Sequence, residues 1–418
     1  MRLRTLISLI TVLVVFLTSV KHSSANTLDF ELTVRSHQLI GLPDARAMNL
    51  TGDGQTIVFI DDGVQFNHPY LDGVVLDGQC TSLEVCGSDY MNSGIKSGGP
   101  HRGDGTHGSM VAGIIAGQAN RSAPGGIAPK TKLISIDNNS GQGEGLIRAM
   151  DWILSVHKKH NIVALSASIG APNFGGVRGG SGKCSFDTAL TNRIRSLVEA
   201  GISVVFAAGN GGSLSNLDYP ACLPEVISVG ALKSTGEIQD YSNISNTITV
   251  LAPADVISAN GSFGYFIGGG TSSAAPVVAG TVALLKQANP NATPEEIKKS
   301  LQSSRKRIDD VLWGNLPILD IPAAIEAVKT GKFDVQNITV KSSTPSPVPT
   351  VTITKATENP PVTAVTVPVP GPTVTVTMTP SPEPTRVVVL TRISCIKGKK
   401  TKVVTAVNPK CPAGYKKK

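Results

Sequence analysis

The amino-acid sequence predicts an α/β domain arranged as a three-layer sandwich, with helices on both faces of a mainly parallel central sheet. Two observations lead to this fold class. Between about residues 30 and 330, short apolar runs rich in β-branched side chains alternate with stretches of helical pattern. The apolar runs lack the polar alternation of strands that face water on one side, so both faces of each strand should be buried.

The positions of these runs set the order of the elements. We predict strands at Thr56–Ile60, Leu133–Ile136, Ile162–Leu165, Ile202–Ala207, Val226–Val229 and Ile248–Leu251. Helices are expected near 107–116, 144–158, 187–200 and 272–288. The last helix of the domain has a clear start, because Thr293 supplies a cap, Pro294 occupies the first helical position and Glu296 completes a capping box.

The N-terminal segment has the features of a secretory signal peptide. Arg2 and Arg4 precede an apolar run from Leu6 to Val20, and small residues at Ser23–Ala25 fit a cleavage site. The alternative is an uncleaved membrane anchor, but the run is shorter than the ~20 residues that a spanning helix needs. We therefore predict that residues 1–25 are removed and that the protein is secreted.

The composition changes after the α/β domain, which we assign to residues 26–335. Residues 341–385 are rich in Thr, Pro, Val and Ser, and proline at this density excludes helix and interior strand. We therefore predict an extended, semi-rigid spacer. Residues 386–418 form a small basic module that is too short to build a core alone and is expected to depend on its two cysteines.

The formal charge of +8 is concentrated in that C-terminal module. Residues 386–418 contain ten Lys or Arg and no acid. When these ten charges and the three of the signal peptide are taken from +8, the rest of the chain carries −5. Two interpretations stay open: the module holds the protein on an anionic cell-envelope surface, or it only solubilises this end. We expect no nucleic-acid partner and a monomeric protein.

Six cysteines in an exported chain indicate disulfides. They fall into three local couples, Cys80 with Cys86, Cys184 with Cys222, and Cys395 with Cys411. The connectivity stays open at this point, because six cysteines allow 15 pairings. A metal cluster is the alternative, but the sequence has no Cys-x-x-Cys pair or Cys/His group with ligand spacing.

Three patches place a reactive side chain at a strand end or a helix start. Asp61 ends a buried strand, and the carboxyl ends of strands line the active crevice in open α/β sheets. His107 begins a helix and is a candidate general base, because imidazole titrates near neutral pH. Ser272 follows a run of glycines at a helix N-terminus, where backbone N–H groups stabilise developing negative charge.

A fourth patch ends a buried strand in an amide, Asn210, which can donate a hydrogen bond to an oxyanion. Taken alone, each patch has a plainer interpretation. An acidic strand end is often a turn cap, a lone histidine is more often structural, and Asn-Gly is an ordinary turn. The glycines before Ser272 would also suit a phosphate, but the Gly-Lys-Ser/Thr of a phosphate-binding loop is missing.

Together the four motifs resemble the subtilisin-like serine peptidases, with which they share the chain order Asp, His, Ser. Asp61 matches the strand-end aspartate of the family and His107 the first histidine of His-Gly-Thr-x-Val-Ala-Gly. Asn210 matches the asparagine of Ala-Ala-Gly-Asn, and Ser272 the serine of Gly-Thr-Ser-x-Ala-x-Pro. The resemblance covers about residues 40–330 and implies a serine endopeptidase that forms an acyl-enzyme on polypeptide substrates.

The resemblance also implies how substrate is bound. An extended peptide would pair with two strand edges, Ser140, Gly141 and Gln142 on one side and Ser168, Ile169 and Gly170 on the other. Asp218 stands at the base of the pocket for the P1 residue, the one before the cleaved bond. We expect Asp218 to favour Lys or Arg at P1. In the plainer interpretation, Asp218 only caps a turn.

The sequence departs from the common family pattern at several points. Ser273 replaces the usual Met after the nucleophile, which should lessen sensitivity to oxidation. Tyr70 stands where many relatives have a calcium-binding aspartate. We therefore predict no metal or other cofactor, and calcium stays open as an alternative that the sequence does not support. The thirty or so residues between Ala25 and the first strand resemble the mature N-terminal arm, and no folded propeptide fits there.

Two other classes of protein compete with the enzyme. A peptide-binding pseudoenzyme would keep the fold but lose a catalytic group, and all four groups are present. A cell-surface adhesin or scaffold is suggested by the spacer and the basic module, and it is compatible with proteolysis.

Overall fold

The computed structural model of the protein describes residues 27–138, 143–170, 184, 188–341, 391–397, 400–406, 410–412 and 415–417. The predicted signal peptide and nearly all of the predicted spacer lie outside these residues. Among the described helices, none has the length and apolarity needed to cross a membrane.

The centre of the domain is a seven-stranded sheet in which all neighbours run parallel. Its strands are β1 (Thr56–Asp61), β2 (Val75–Cys80), β3 (Lys132–Asp137), β4 (Ile162–Ala167), β5 (Ser203–Ala207), β6 (Ile227–Leu232) and β7 (Val250–Pro253). Their order is β2-β3-β1-β4-β5-β6-β7. The chain therefore leaves β1 toward one edge and β4 toward the other, and such a reversal opens a crevice at the carboxyl ends of the two strands.

The six predicted strands all occur, with ends shifted by at most three residues. The prediction missed β2, which forms an edge of the sheet. Its first three residues are partly or fully exposed, and its sequence Val-Leu-Asp-Gly-Gln-Cys has no continuous apolar run. An edge strand that is buried only over part of its length therefore carries a weaker apolar signal.

The described helices are α1 (Thr27–Leu39), α2 (Leu42–Ala47), α3 (Leu83–Cys86), α4 (Thr106–Ala116), α5 (Gly143–His160), α6 (Thr188–Glu199), α7 (Thr271–Ala288), α8 (Pro294–Gln302) and α9 (Ile321–Thr330). The five predicted helices are α4 to α8. The prediction that the helix after Thr293 is the last of the domain is wrong, because α9 follows it. That helix had its own start signal, since Asp320 accepts a hydrogen bond from the Ala323 N–H and a proline follows the cap.

The helices form two layers on the sheet. Helices α4, α7 and α9 pack in one hydrophobic core, and α5 and α6 in the other. Successive residues of β1 alternate between these cores: Ile57 and Phe59 lie in the first, Val58 and Ile60 in the second. This arrangement explains the continuous apolar strands and confirms the three-layer α/β fold.

Short antiparallel pairs complete the described structure. Strand β8 (Ile257–Ala259) forms a hairpin with β9 (Tyr265–Ile267), which leads into α7. Near the end of the domain, β10 (Arg307–Ile308) pairs with β12 (Leu316–Pro317), and β11 (Trp313–Gly314) with β13 (Thr339–Val340). In the C-terminal module, β14 (Thr391–Lys397) lies between β15 (Lys400–Ala406) and β16 (Lys416–Lys417).

Two of the three local cysteine couples form disulfides, Cys80–Cys86 and Cys184–Cys222. Cys411 is also disulfide-bonded, but the side chain of Cys395, the other member of its couple, lies outside the described part of the chain. Cys80 comes near His101 and Asp137. Its sulfur is bonded to Cys86, however, so it offers no thiolate to a metal.

Candidate active site

Asp61 lies at the carboxyl end of β1, beside the crevice where the strand order reverses. Its side chain is only 2% exposed. One carboxylate oxygen, Oδ1, accepts hydrogen bonds from the Asp62 N–H at 2.9 Å and from His107 Nδ1 at 2.6 Å. The imidazole is therefore bonded through Nδ1 to a buried carboxylate, which leaves Nε2 as its second functional nitrogen.

His107 is held by the start of α4. Asp62 Oδ1 accepts a hydrogen bond from the Gly108 N–H at 2.7 Å and so contributes to the N-terminal turn. Gly108 packs so closely that an added Cβ would lie 2.0 Å from the Gly63 carbonyl oxygen. Only glycine fits there, and the close approach fixes the helix start against the end of β1. Asp62 was not among the site residues predicted from the sequence, although it directly follows Asp61 at the end of the strand.

The two carboxylates change the proton affinity of the histidine. The negative charge of Asp61 raises the pKa of His107 to about 9 against the opposing effect of burial, and Asp62 adds to this rise. Burial raises the pKa of Asp62 to about 6, with a further contribution from the charge of Asp61. The resting site therefore favours the imidazolium form of His107 at neutral pH.

Ser272 is the second residue of α7 and is half-buried. Its hydroxyl donates to the Ser168 carbonyl oxygen at 3.2 Å, while the Ser168 hydroxyl donates to the Ser272 carbonyl oxygen at 2.9 Å. Among the described residues, no hydrogen bond joins Ser272 to His107. Their two helices nevertheless pack together, with Met110 Sδ 3.4 Å from the hydroxyl of Ser273. In enzymes without substrate, hydrogen bonds of an acid–base pair are often long or poorly aligned, and they tighten when substrate binds.

Asn210 follows β5 and is exposed at the mouth of the sheet. Its Oδ1 accepts hydrogen bonds from the Thr271 N–H at 2.8 Å and from the Thr271 hydroxyl at 3.0 Å. A backbone N–H can only donate, so these contacts identify Oδ1 as the acceptor and leave the Nδ2 hydrogens for another group. The Asn210 side chain is thus hydrogen-bonded to Thr271, the residue that precedes Ser272.

The substrate-binding residues expected from the resemblance fall into three groups. Ser140, Gly141 and Gln142 lie outside the described residues. Ser168, Ile169 and Gly170 follow β4 directly, and their exposure increases from buried Ser168 to exposed Gly170.

Asp218 is half-buried beside Gly170, where an added Cβ would lie 3.4 Å from the Asp218 Cβ. Its Oδ1 accepts a hydrogen bond from Asn243 Nδ2 at 3.1 Å. Burial raises the pKa of Asp218, and the Asn243 hydrogen bond opposes this rise. A carboxylate therefore lies next to the segment expected to bind substrate.

Comparison with known proteins identifies the family of this chain. The sequence profile of the subtilase family matches residues 52–319. Subtilisin NAT of Bacillus subtilis subsp. natto is 28% identical over 297 residues, which cover 69% of this chain and 70% of that protein. A subtilisin of Bacillus pumilus has the same identity over 297 residues, which cover 69% of this chain and 96% of that protein.

A third relative, the major intracellular serine protease of Bacillus subtilis (strain 168), is 28% identical over 275 residues. These cover 63% of this chain and 78% of the relative. The chain belongs to the subtilase family. It is accordingly a serine-type endopeptidase, whose substrates are polypeptides.

Proposed function

We propose that the protein is a secreted, monomeric serine endopeptidase in which Asp61, His107 and Ser272 form the catalytic triad and Asn210 is the side-chain oxyanion donor. The main support is the 2.6 Å hydrogen bond between His107 Nδ1 and Asp61 at the carboxyl end of β1. When His107 is neutral, this bond holds the imidazole in the tautomer whose Nε2 accepts a proton. No metal or other cofactor takes part in this chemistry.

The reaction begins when Ser272 Oγ leaves the Ser168 carbonyl oxygen and turns toward His107. Oγ attacks the carbonyl carbon of the scissile bond while its proton passes to His107 Nε2. The developing oxyanion accepts hydrogen bonds from Asn210 Nδ2 and the Ser272 N–H. His107 then protonates the leaving amine, and water hydrolyses the acyl-enzyme by the reverse sequence of proton transfers.

A test of the nucleophile is labelling with a serine-directed phosphonate. Ser272→Ala should abolish labelling and lower kcat by about 10⁶-fold, which is the loss measured in subtilisin itself. Ser273→Ala is a matched control, because this buried neighbour donates to the Gly269 carbonyl oxygen and is assigned no chemistry. Labelling that persists in Ser272→Ala would refute the assignment.

We further propose that peptide substrates pair by their main chain with residues 140–142 and 168–170 and that Asp218 favours Lys or Arg at P1. A half-buried carboxylate next to Gly170 supports a cationic preference. The alternative role of Asp218 is a turn cap. Chromogenic peptides that end in Arg, Phe or Leu distinguish the two: Asp218→Asn should remove a preference for Arg, and indifference of the wild type to Arg would exclude it.

For the C-terminal module, we propose contact with an anionic cell-envelope surface. The support is its ten basic residues without an acid, next to a remainder of opposite net charge. Deleting residues 386–418 should release the protein from cells and leave kcat/KM on small peptides unchanged. Unchanged retention on cells would show that the module serves another purpose, such as solubility.

A further inference from the structure

Asn243 lies between β6 and β7 and is only 2% exposed, yet all of its side-chain hydrogen-bonding groups are used. Its Nδ2 donates to the Ala208 carbonyl oxygen and to Asp218 Oδ1, both at 3.1 Å. Its Oδ1 accepts from the Gly211 N–H at 3.1 Å and the Ser213 N–H at 2.9 Å. A carboxamide has two donor hydrogens and two acceptor lone pairs, so no capacity remains.

These partners surround Asn210 without including it. Ala208, Gly211 and Ser213 belong to the turn that carries the oxyanion donor, and the Asn243 N–H also donates to the Gly209 carbonyl oxygen at 3.0 Å. The Asn243 side chain is thus the hydrogen-bond acceptor for two N–H groups of this turn. Without it, the Gly211 and Ser213 N–H groups would lose that acceptor, whereas the Ala208 carbonyl oxygen would keep the Asp218 N–H at 2.9 Å.

Gly209 shows how closely the turn and Asn243 fit together. It has a φ of +104°, in the region that favours glycine. An added Cβ would lie 2.2 Å from Asp218 Oδ2 and 2.3 Å from Asn243 Nδ2. The turn, the amide and the carboxylate are therefore in direct contact, and none of them can move far without displacing another.

We propose that Asn243 is a positioning residue that joins the oxyanion donor and the P1 carboxylate in one hydrogen-bonded unit. It aims Asn210 by fixing the turn around it, and it holds the Asp218 carboxylate toward the substrate segment. This inference rests on the proposed functions of Asn210 and Asp218. Asn243 itself does not contact the reacting atoms.

Asn243→Ala tests the proposal, because it removes all four side-chain hydrogen bonds. If the alanine variant does not accumulate, Asn243→Ser retains one donor and one acceptor in a smaller side chain. The matched control is Asn289→Ala, which removes an amide that donates to the Val328 carbonyl oxygen at 2.8 Å near the C-terminal end of α7. Active sites are counted by phosphonate titration, so that kcat refers to folded enzyme.

The first measurement is kcat and KM on a peptide with Leu at P1. Asn243→Ala should lower kcat by about 10- to 100-fold. This loss is smaller than the ~10²–10³-fold loss in kcat that follows when the oxyanion donor itself is removed. KM should stay within about twofold, because the interaction is made in the transition state. Asn289→Ala should change neither constant by more than about twofold.

A double mutant separates positioning from general destabilisation. If Asn243 acts through Asn210, then in an Asn210→Leu background Asn243→Ala should lower kcat by less than about threefold. An equal loss of kcat in both backgrounds would overturn the proposal. The proposal would also be overturned if Asn243→Ala lowered only the number of titrated active sites and left kcat per site unchanged. If Asn210→Leu alone leaves kcat unchanged, the proposed oxyanion donor fails instead.

The second measurement is the ratio of kcat/KM for Arg and Leu peptides across an acidic pH series. Asn243→Ala removes a hydrogen bond to the ionised Asp218, so the Arg preference should appear at a higher pH than in the wild type. If Asn243→Ala left the pH at which the Arg preference appears unchanged, the Asp218 part of the inference would be overturned. A ratio that Asp218→Asn does not alter would overturn the P1 role of Asp218 itself.

Discussion

The negative charge beside the proposed base comes from two adjacent carboxylates. Asp61 binds the imidazole with one oxygen, and its other oxygen, Oδ2, is buried without a hydrogen-bond partner among the described residues. Asp62 lies on the other side of the same turn and binds the start of α4. A proton on His107 is the main compensation for this charge, which is why the pKa of the histidine is raised.

The raised pKa predicts the pH dependence of activity. In the proposed mechanism only neutral His107 accepts the Ser272 proton, so kcat/KM should rise with pH toward a midpoint near 9. Asp62→Asn removes a negative charge but keeps an oxygen for the Gly108 N–H, so the midpoint should fall. A pH series with a Leu peptide measures both, with exposed Asp104→Asn as the control. A midpoint that Asp62→Asn leaves in place would contradict this electrostatic role.

Sequence motifs were sufficient to name Asp61, His107, Asn210 and Ser272 as candidates, because each stands in a short pattern at a strand end or helix start. They did not single out Asn243. Its side-chain contacts reach 25 to 35 residues back along the chain, and no local pattern records them. A buried amide of this kind becomes visible only when the turn around it has been folded.

At the scale of elements, burial decided what the sequence could reveal. The six strands that were predicted have apolar runs without polar alternation, because helices cover both of their faces. The edge strand β2 and the late helix α9 were missed for different reasons. Strand β2 has no continuous apolar run, whereas α9 has a start signal in Asp320 and the following proline that the prediction did not include.

The capping box of α8 gives a prediction about stability. The Thr293 hydroxyl accepts from the Glu296 N–H at 3.2 Å, and the Glu296 carboxylate accepts from the Thr293 N–H at 2.7 Å. Thr293→Ala should lower the free energy of unfolding by about 1 kcal/mol, because an orphan N–H loses its acceptor. Urea unfolding of proteins that also carry Ser272→Ala avoids autolysis and measures the change.

The control for that prediction is Thr330→Ala. The Thr330 hydroxyl donates to the Glu326 carbonyl oxygen within α9, on an exposed surface, and caps no N-terminus. Its removal should change the free energy of unfolding by less than about 0.5 kcal/mol. Equal effects of the two threonines would show that the capping box adds no stability of its own.

At the scale of the whole molecule, one sheet separates two hydrophobic cores. Phe59 is fully buried in the core that contains α4 and α7, and Phe206 is fully buried in the core that contains α5 and α6. Neighbouring residues of the same strands belong to opposite cores. Loss of one core therefore removes the support of strands that the other core requires, and the domain should unfold as a unit.

Two large-to-small substitutions test this coupling. Phe59→Ala and Phe206→Ala, each combined with Ser272→Ala, should each lower the free energy of unfolding by about 3–5 kcal/mol and keep a single transition. Phe263→Ala is the control, because that ring is 50% exposed and should contribute under about 1 kcal/mol. Two separate transitions in either variant would show that the cores unfold independently.

The reversal of strand order beside β1 has a consequence for how this scaffold can change. The crevice results from the direction in which the backbone is wound, so it exists before any particular side chain lines it. Evolution or an engineer can therefore exchange side chains around the opening while the architecture stays the same. The turn that is hydrogen-bonded to Asn243 is the exception. A substitution in this turn or at Asp218 would also require a replacement for the hydrogen bonds that Asn243 makes there.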